Sequence, residues 1–401
     1  MKNFPFFLLI IISSFSLSQQ QVVKIDNLAI NDLNNFEGYL AIDSVLKNKK
    51  YVFLGESAHS AEEYITAKHK MIKYLHEKHG FNIVVFESGL SDCYYGNKHK
   101  CENDSLWLMT HSIYGIWFSK STLLMLNDFK KDNISIGGFD FQSSSRDQAS
   151  SRFILELKNI DTSLLSETFK WDKFLMNLRL PEKVDSNKLR VLNDSLAICR
   201  NILNKNYNYI DSIYKNKQMK NIDDRYVSRI ILNKLFFLSV CDDRKKWLAF
   251  RDSVMSSNMQ WFCDTLFPNE KIIFWGANDH IAREKSTFSS NYFAGAVLPE
   301  RIKSQSYYIG LYALSGEIYS WKSGKFEMGK LNKSSLEVRT HNYFNSDNDV
   351  FLDFSEASKQ KDFRWLNKKT ISYVWGNIPV KIVPAKNYDG MILINKLSVI
   401  H

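Results

Sequence analysis

Four apolar runs in this chain end in residues able to carry chemistry. Glu56 and His59 follow the run over 51–54, Glu87 follows 82–86, Asp140 follows 134–139, and Asn278 with His280 follows 271–275. An imidazole beside carboxylates is held in one tautomer, gains basicity and takes a proton from water near neutral pH. A nearby cation then stabilises the oxyanion formed when that water attacks an ester carbonyl. Lys68 is placed for this, because at helical spacing it falls inside the stripe Tyr64, Ile65, Met71, Ile72 and Leu75. A lysine there either snorkels or meets a carboxylate such as Glu56 or Glu87. Arg251 and Asn258, on one helix face with Trp247, Val254 and Trp261, follow the same logic more weakly. The pattern predicts water-mediated hydrolysis without a covalent intermediate. Its catalytic group is Glu56, His59, Glu87 and His280, with Lys68, Asp140, Asn278 and Arg251 binding substrate. Taken singly, a strand-terminal acid such as Asp140 is more often a cap or turn residue.

Other chemistries are narrowed by what is missing. No G-x-S-x-G elbow occurs, so Ser57, Ser60 and Ser88 read as turn and cap residues. No H-E-x-x-H occurs either, since His76-Glu77-Lys78-His79 has the wrong spacing. Two alternatives stand beside the leading reading: a metal-dependent hydrolase built on the same Glu and His residues, and a non-catalytic binder of an envelope ligand. No metal ligand or cofactor is assigned.

These residues need a scaffold that brings strand ends together. Strand, helix over 61–79 and strand form a βαβ unit, and the pattern repeats with a helix over 122–131. From 148 to 266 the periodicity is helical almost throughout, for example Leu189, Leu192, Leu196 and Ile202. Strand pattern then resumes, with a short helix near 334–343. The prediction is an α/β fold: a central, mostly parallel sheet flanked by helices and interrupted by an all-helical lobe. Its divisions are 1–18, 19–147, 148–266 and 267–401. Ligands of such sheets bind beyond the carboxyl ends of the strands, where the four runs end.

The 401 residues, 44% hydrophobic, can bury a large core. The net charge of +10 comes from basic residues scattered among 43 acids without a long block, which argues against a nucleic-acid partner. Lys2, the apolar run over 4–12 and the small residues Ser16 and Ser18 predict a signal peptide cleaved after Ser18. Export to the periplasm or beyond follows. That run is shorter than the roughly 20 residues of a spanning helix, so no transmembrane segment is expected in the mature chain. Of five cysteines, Cys93 and Cys101 flank a polar stretch read as a loop and could bridge, while Cys199, Cys241 and Cys263 read as buried thiols. The sequence sets no oligomeric state.

Several short motifs, in order, resemble the erythromycin esterase-like family. They are Gly55-Glu56-Ser57-Ala58-His59, the helix with Lys68, Gly80-Phe81 leading to Phe86-Glu87, Gly138-Phe139-Asp140, Arg251-Asp252 with Met255 and Asn258, Trp275 through His280, and Tyr388-Asp389-Gly390-Met391. The resemblance runs from about residue 40 to the C-terminus. It implies metal-independent hydrolysis of an ester or lactone, with His59 as general base and Glu56, Glu87 and His280 at the family's other important positions. Macrolide inactivation is the activity it suggests. Two departures stand out: Ala277 replaces the first histidine of the family's His-Asn-x-His, and Lys68 stands where the resistance enzymes tend to carry arginine.

Overall fold

The computed structural model describes residues 22–144, 149–177, 186–215, 221–241, 243–284, 293–320 and 323–400. The expected signal peptide and its cleavage after Ser18 lie outside them. The strands are β1 (Lys24–Ile25), β2 (Tyr51–Leu54), β3 (Ile83–Gly89), β4 (Ser135–Asp140), β5 (Ile272–Trp275), β6 (Ser306–Ser320), β7 (Gly324–Glu327), β8 (Val350–Asp353), β9 (Thr370–Val374), β10 (Ile378–Ile382) and β11 (Gly390–Leu397). Nine of them form one sheet in the order β1-β8-β11-β6-β2-β5-β3-β4, with β7 hairpinned onto β6, and β9 and β10 make a separate hairpin. The run from β11 to β4 is parallel, and β8 and β1 close one edge antiparallel. This is the mostly parallel sheet that the repeating βαβ pattern predicts.

Side-chain alternation explains why the central strands are apolar throughout. Val52, Leu54, Val84, Phe86, Ile273 and Trp275 point to one face and join a buried cluster with Ile65, Met71 and Leu75 of the Glu62–His79 helix. Tyr51, Phe53, Val85 and Phe274 point to the other, against Met255, Met259 and Phe262. Both faces are covered, so neither register of the alternation tolerates a polar residue until the strand ends. Phe53 stacks between Phe274 and Tyr308, at centroid distances of 4.7 and 4.3 Å, tying three adjacent strands together.

Between β4 and β5 the chain forms helices Ala149–Leu155, Thr162–Asn177, Ser186–Lys215, Ile222–Val240 and Arg244–Trp261. This is the stretch whose periodicity is helical in the sequence. Its residues Leu203, Tyr207, Ile230 and Ile231 belong to the same buried cluster as Phe53, so these helices share the core of the sheet.

One local expectation is corrected. The segment between Cys93 and Cys101 is a helix, Leu90–His99, and both cysteines are free thiols. Cys93 is buried with its thiol on the Ser112 carbonyl at 3.2 Å, while Cys101 is exposed. A run of Ser, Asp, Gly, Asn and Lys hides the face on which Leu90, Cys93, Tyr94 and Gly96 are buried. No described helix is long and apolar enough to cross a membrane.

Candidate active site

β2, β5, β3 and β4 lie side by side and parallel, so their carboxyl ends open onto one crevice. The chain leaves β2 through Gly55, where a Cβ would come within 2.0 Å of Asn278 Oδ1. Only glycine lets this exit pass the turn after β5. Glu56, next in the chain, is buried and fully bonded. His59 Nδ1 lies 2.6 Å from Oε1, the Trp117 indole N–H donates to the same oxygen at 2.7 Å, and Lys68 Nζ donates to Oε2 at 2.7 Å. Burial opposes the charge on Glu56, but Lys68 and His59 outweigh it and hold the carboxyl below its ordinary range. Burial likewise lowers Lys68, against the pull of Glu56. Lys68 therefore does not snorkel. It is sealed beneath the crevice, 4.2 Å from the Trp275 ring centroid.

His59 stands above this pair. Its ring meets Trp117 and Trp375 edge to face at 5.7 and 5.0 Å. Its side chain keeps 13% of its surface open. With Nδ1 committed to Glu56, Nε2 makes no hydrogen bond among the described residues and is the nitrogen that can act on a ligand. Trp375 holds a left-handed backbone conformation, φ 52°, at the β9–β10 turn, and donates its N–H to the Ser57 carbonyl at 2.8 Å. A bulky residue in that region is strained, and the surrounding bonds must hold it there.

The second acid comes from an irregularity in β3. The register with β4 shifts between Phe86 and Gly89, and Gly138 accommodates it: a Cβ there would meet the Ser88 carbonyl at 2.5 Å. Glu87 Oε1 thereby reaches Arg251 Nη2 at 3.0 Å and His280 Nε2 at 3.3 Å, while Oε2 accepts the Ala277 N–H at 2.8 Å. Burial raises its pKa, but the charges of His280 and Arg251 pull it down to about 2. His59 also lowers it, which places the two histidines within electrostatic reach of one carboxylate.

His280 lies between two acids, with Nδ1 on Asp252 Oδ1 at 2.7 Å and Nε2 facing Glu87. Burial opposes the ring's charge, yet Glu87 and then Asp252 raise its pKa to about 9. The charged ring donates from Nδ1 to Asp252 and faces Glu87 from Nε2 at ion-pair distance. Arg251 Nη1, 3.0 Å from Nε2, then faces a second donor, and the arginine is held instead through Nη2 on the shared Glu87 oxygen. Arg251 also grips Asp140 Oδ2 through Nε at 2.9 Å and Nη2 at 2.6 Å.

Of the residues expected to bind substrate, Arg251 alone reaches the crevice, with 15% of its side chain open. Lys68, Asp140 and Asn278 lie beneath it. Asp140 spends its oxygens on Arg251, the Tyr114 hydroxyl at 2.9 Å and the Gln142 N–H at 3.1 Å. Asn278 bonds the Leu311 carbonyl and N–H on β6, at 2.9 and 3.2 Å. Their contacts are with backbone and with side chains that line the crevice. The four expected catalytic residues do come together.

Sequence reasoning missed Asp252, Trp117, Tyr114, Trp375 and Asp279. Asp252 was visible only as part of the Arg251-Asp252 motif. Asp279, pushed up to about 6 chiefly by burial, feels the charges of His280, Asp252, Glu87 and His59. Tyr114 and Trp117 form a strap across the site: the Tyr114 N–H donates to Ser88 Oγ at 3.1 Å, its hydroxyl to Asp140, and Trp117 to Glu56. Among the described residues no group of three or more His, Cys, Asp or Glu has the arrangement to hold a metal ion. The oxygens of Glu56 and Glu87 are occupied by cations and N–H donors.

The profile of the family described as erythromycin esterase matches residues 76–397, a span that holds Glu87, Asp140, Arg251 and His280 and begins after Glu56 and His59. YbfO of Bacillus subtilis (strain 168), a supposed hydrolase, is 25% identical over 386 residues, covering 89% of this chain and 86% of its own. The fold is shared with a solved succinoglycan biosynthesis protein, at TM-score 0.73, 17% identity and 96% of each chain. A Bacillus cereus protein matches with TM-score 0.70 and 19% identity, over 94% of this chain and 96% of that one. A mutant of the erythromycin esterase EreC in its open conformation matches with TM-score 0.64 and 15% identity, over 92% and 95%. The crevice of paired acids and histidines thus belongs to a hydrolase of the erythromycin esterase family, of which this chain is a member.

Proposed function

We propose that this chain is an exported hydrolase that cleaves a carboxylic ester or lactone with water activated by His59. The observation that carries this reading is the asymmetry of the His59 ring, with Nδ1 fixed 2.6 Å from Glu56 and Nε2 open at the crevice. Glu56 fixes the tautomer with the proton on Nδ1, which leaves a lone pair on Nε2. That lone pair takes a proton from water as the water oxygen attacks the ester carbonyl. The carbonyl oxygen gains the negative charge, and the N–H groups of Arg251 and of charged His280 are the donors that stabilise it. Collapse of the tetrahedral intermediate breaks the bond to the alcohol oxygen, which receives the proton from His59 Nε2. The products are a carboxylic acid and an alcohol, joined in one chain when the substrate is a lactone.

Lys68 supports this chemistry indirectly. Its charge keeps Glu56 ionised, and the oxyanion falls to Arg251 and His280. Trp117 and Trp375 wall the base with apolar surface, which favours an ester with a hydrophobic body. Ala277 keeps the backbone N–H that holds Glu87, a contact that needs no side chain. Macrolide lactones belong in the substrate panel for that reason. The residues 1–18, with Lys2 ahead of an apolar run, support export.

The test is mass-spectrometric. Purified protein is incubated with macrolides, simple lactones and aryl esters, and products are sought at the mass of substrate plus water. Turnover that disappears in His59→Ala with the fold retained supports the reading. Turnover unchanged in that variant removes His59 as base, and thermal stabilisation by the panel without any product turns the site into a binding site.

A further inference from the structure

A cavity of about 650 Å³ opens where Thr265 and Pro268 lead into β5, at the opposite end of that strand from the candidate active site. Its size suits a small organic molecule. Two arginines line it, and among the described residues neither is paired with an acid. Arg229 donates from Nε to Asn258 Oδ1 and from Nη2 to Ser257 Oγ, both at 2.7 Å. Both acceptors are neutral, and its Nη1 makes no hydrogen bond among the described residues. Burial accordingly lowers its pKa to about 10 with no carboxylate opposing the shift. Arg225 donates to the Thr265 carbonyl at 3.0 Å and adds a second charge. The acids on the wall are already engaged: Asp264 is paired with Arg301, and Asp211 is buried and held by other groups.

A half-buried guanidinium with only neutral partners is costly, and an oxyanion is the ligand that removes the cost. The planar fork matches a carboxylate in two-point contact. Trp261, 5.9 Å from the Arg229 guanidinium, and Leu232 with Pro268 supply a flat apolar surface beside it. We propose that this cavity binds a small aromatic carboxylate, with its anionic end on Arg229 and Arg225 and its ring against Trp261. None of these residues takes part in the candidate active site, so the proposal stands apart from the hydrolase reading.

Calorimetric titration of the purified full chain with indole-3-acetate and 1-naphthoate tests it, with indole-3-acetamide and inorganic phosphate as controls. The acids are expected to bind saturably and roughly tenfold more tightly than either control. Arg229→Lys and Arg225→Gln are each expected to weaken binding by roughly tenfold or more. His59→Ala should leave it unchanged. Arg225→Gln spares the bonds of Arg229, so it remains informative should Arg229→Lys fail to fold. Absence of saturable acid binding below about 10 mM overturns the proposal. So does acid binding that survives both arginine substitutions, or phosphate and amide binding as tight as that of the acids.

Discussion

The two Glu–His pairs of the crevice look alike in sequence and differ in how many acids hold the ring. On one side a single carboxylate, Glu56, holds His59, and the charge of that carboxylate is already answered by buried Lys68. On the other, His280 sits between Glu87 and Asp252, and the two acids raise its pKa to about 9. The same imidazole thus keeps one nitrogen unbonded at one position and is held as a cation between two acids at the other. The proposed roles of base and electrophile follow the number of neighbouring carboxylates, not residue type.

The largest expected effect comes from removing the proposed base. His59→Ala should lower kcat by about 10²- to 10⁴-fold while leaving the melting temperature close to wild type, since the side chain lies at the crevice edge. A comparable loss of folding stability would instead make His59 a structural residue. Next is the cation beneath it. Lys68→Met leaves Glu56 buried without a countercharge and should cost on the order of 3–5 kcal/mol in denaturant unfolding. Adding Glu56→Gln to that variant should recover much of the stability, and a double variant as unstable as the single one would break the pairing argument.

The pH dependence sharpens the contrast. Because the folded pKa of His280 lies above its ordinary value of 6.5, its stabilising contribution is complete below pH 6.5 and lost as pH rises through about 9. Melting temperature should fall across that window, and the fall should flatten in His280→Gln. An unaltered decline in the variant would assign the transition to another group. The smallest effect concerns the wall. Trp375→Ala should raise KM for hydrophobic esters by up to about tenfold and leave small acetate esters nearly unaffected, a difference read from paired steady-state assays.

The scaffold and half of the site were legible because both depend on short-range pattern. Runs such as Tyr51–Leu54 and Ile272–Trp275 can only be strands buried on both faces, and the parallel pairing then gathers their polar ends. Lys68 announced itself by sitting in an apolar stripe. What stayed hidden depends on residues far apart in the chain. Trp375 meets His59 across more than three hundred positions, and nothing in its hairpin sequence marks the contact. Asp252 reads as an ordinary polar residue of a helix until the fold sets it against His280. The placement of Asp140 and Asn278 below the crevice was equally unreadable, because a strand-terminal polar side chain can turn toward ligand or toward backbone with the same sequence.

The Tyr114–Trp117 strap spans the distance between the two histidines. One end is pinned to the Arg251 side through Asp140 and the other to the His59 side through Glu56, with Ser88 as a fixed point beside Glu87. It acts as a ruler between the proposed proton acceptor and the proposed donor. Lengthening it by a single residue would leave each imidazole with its own partners yet change the gap that a carbonyl must bridge, separating assembly of the crevice from its alignment.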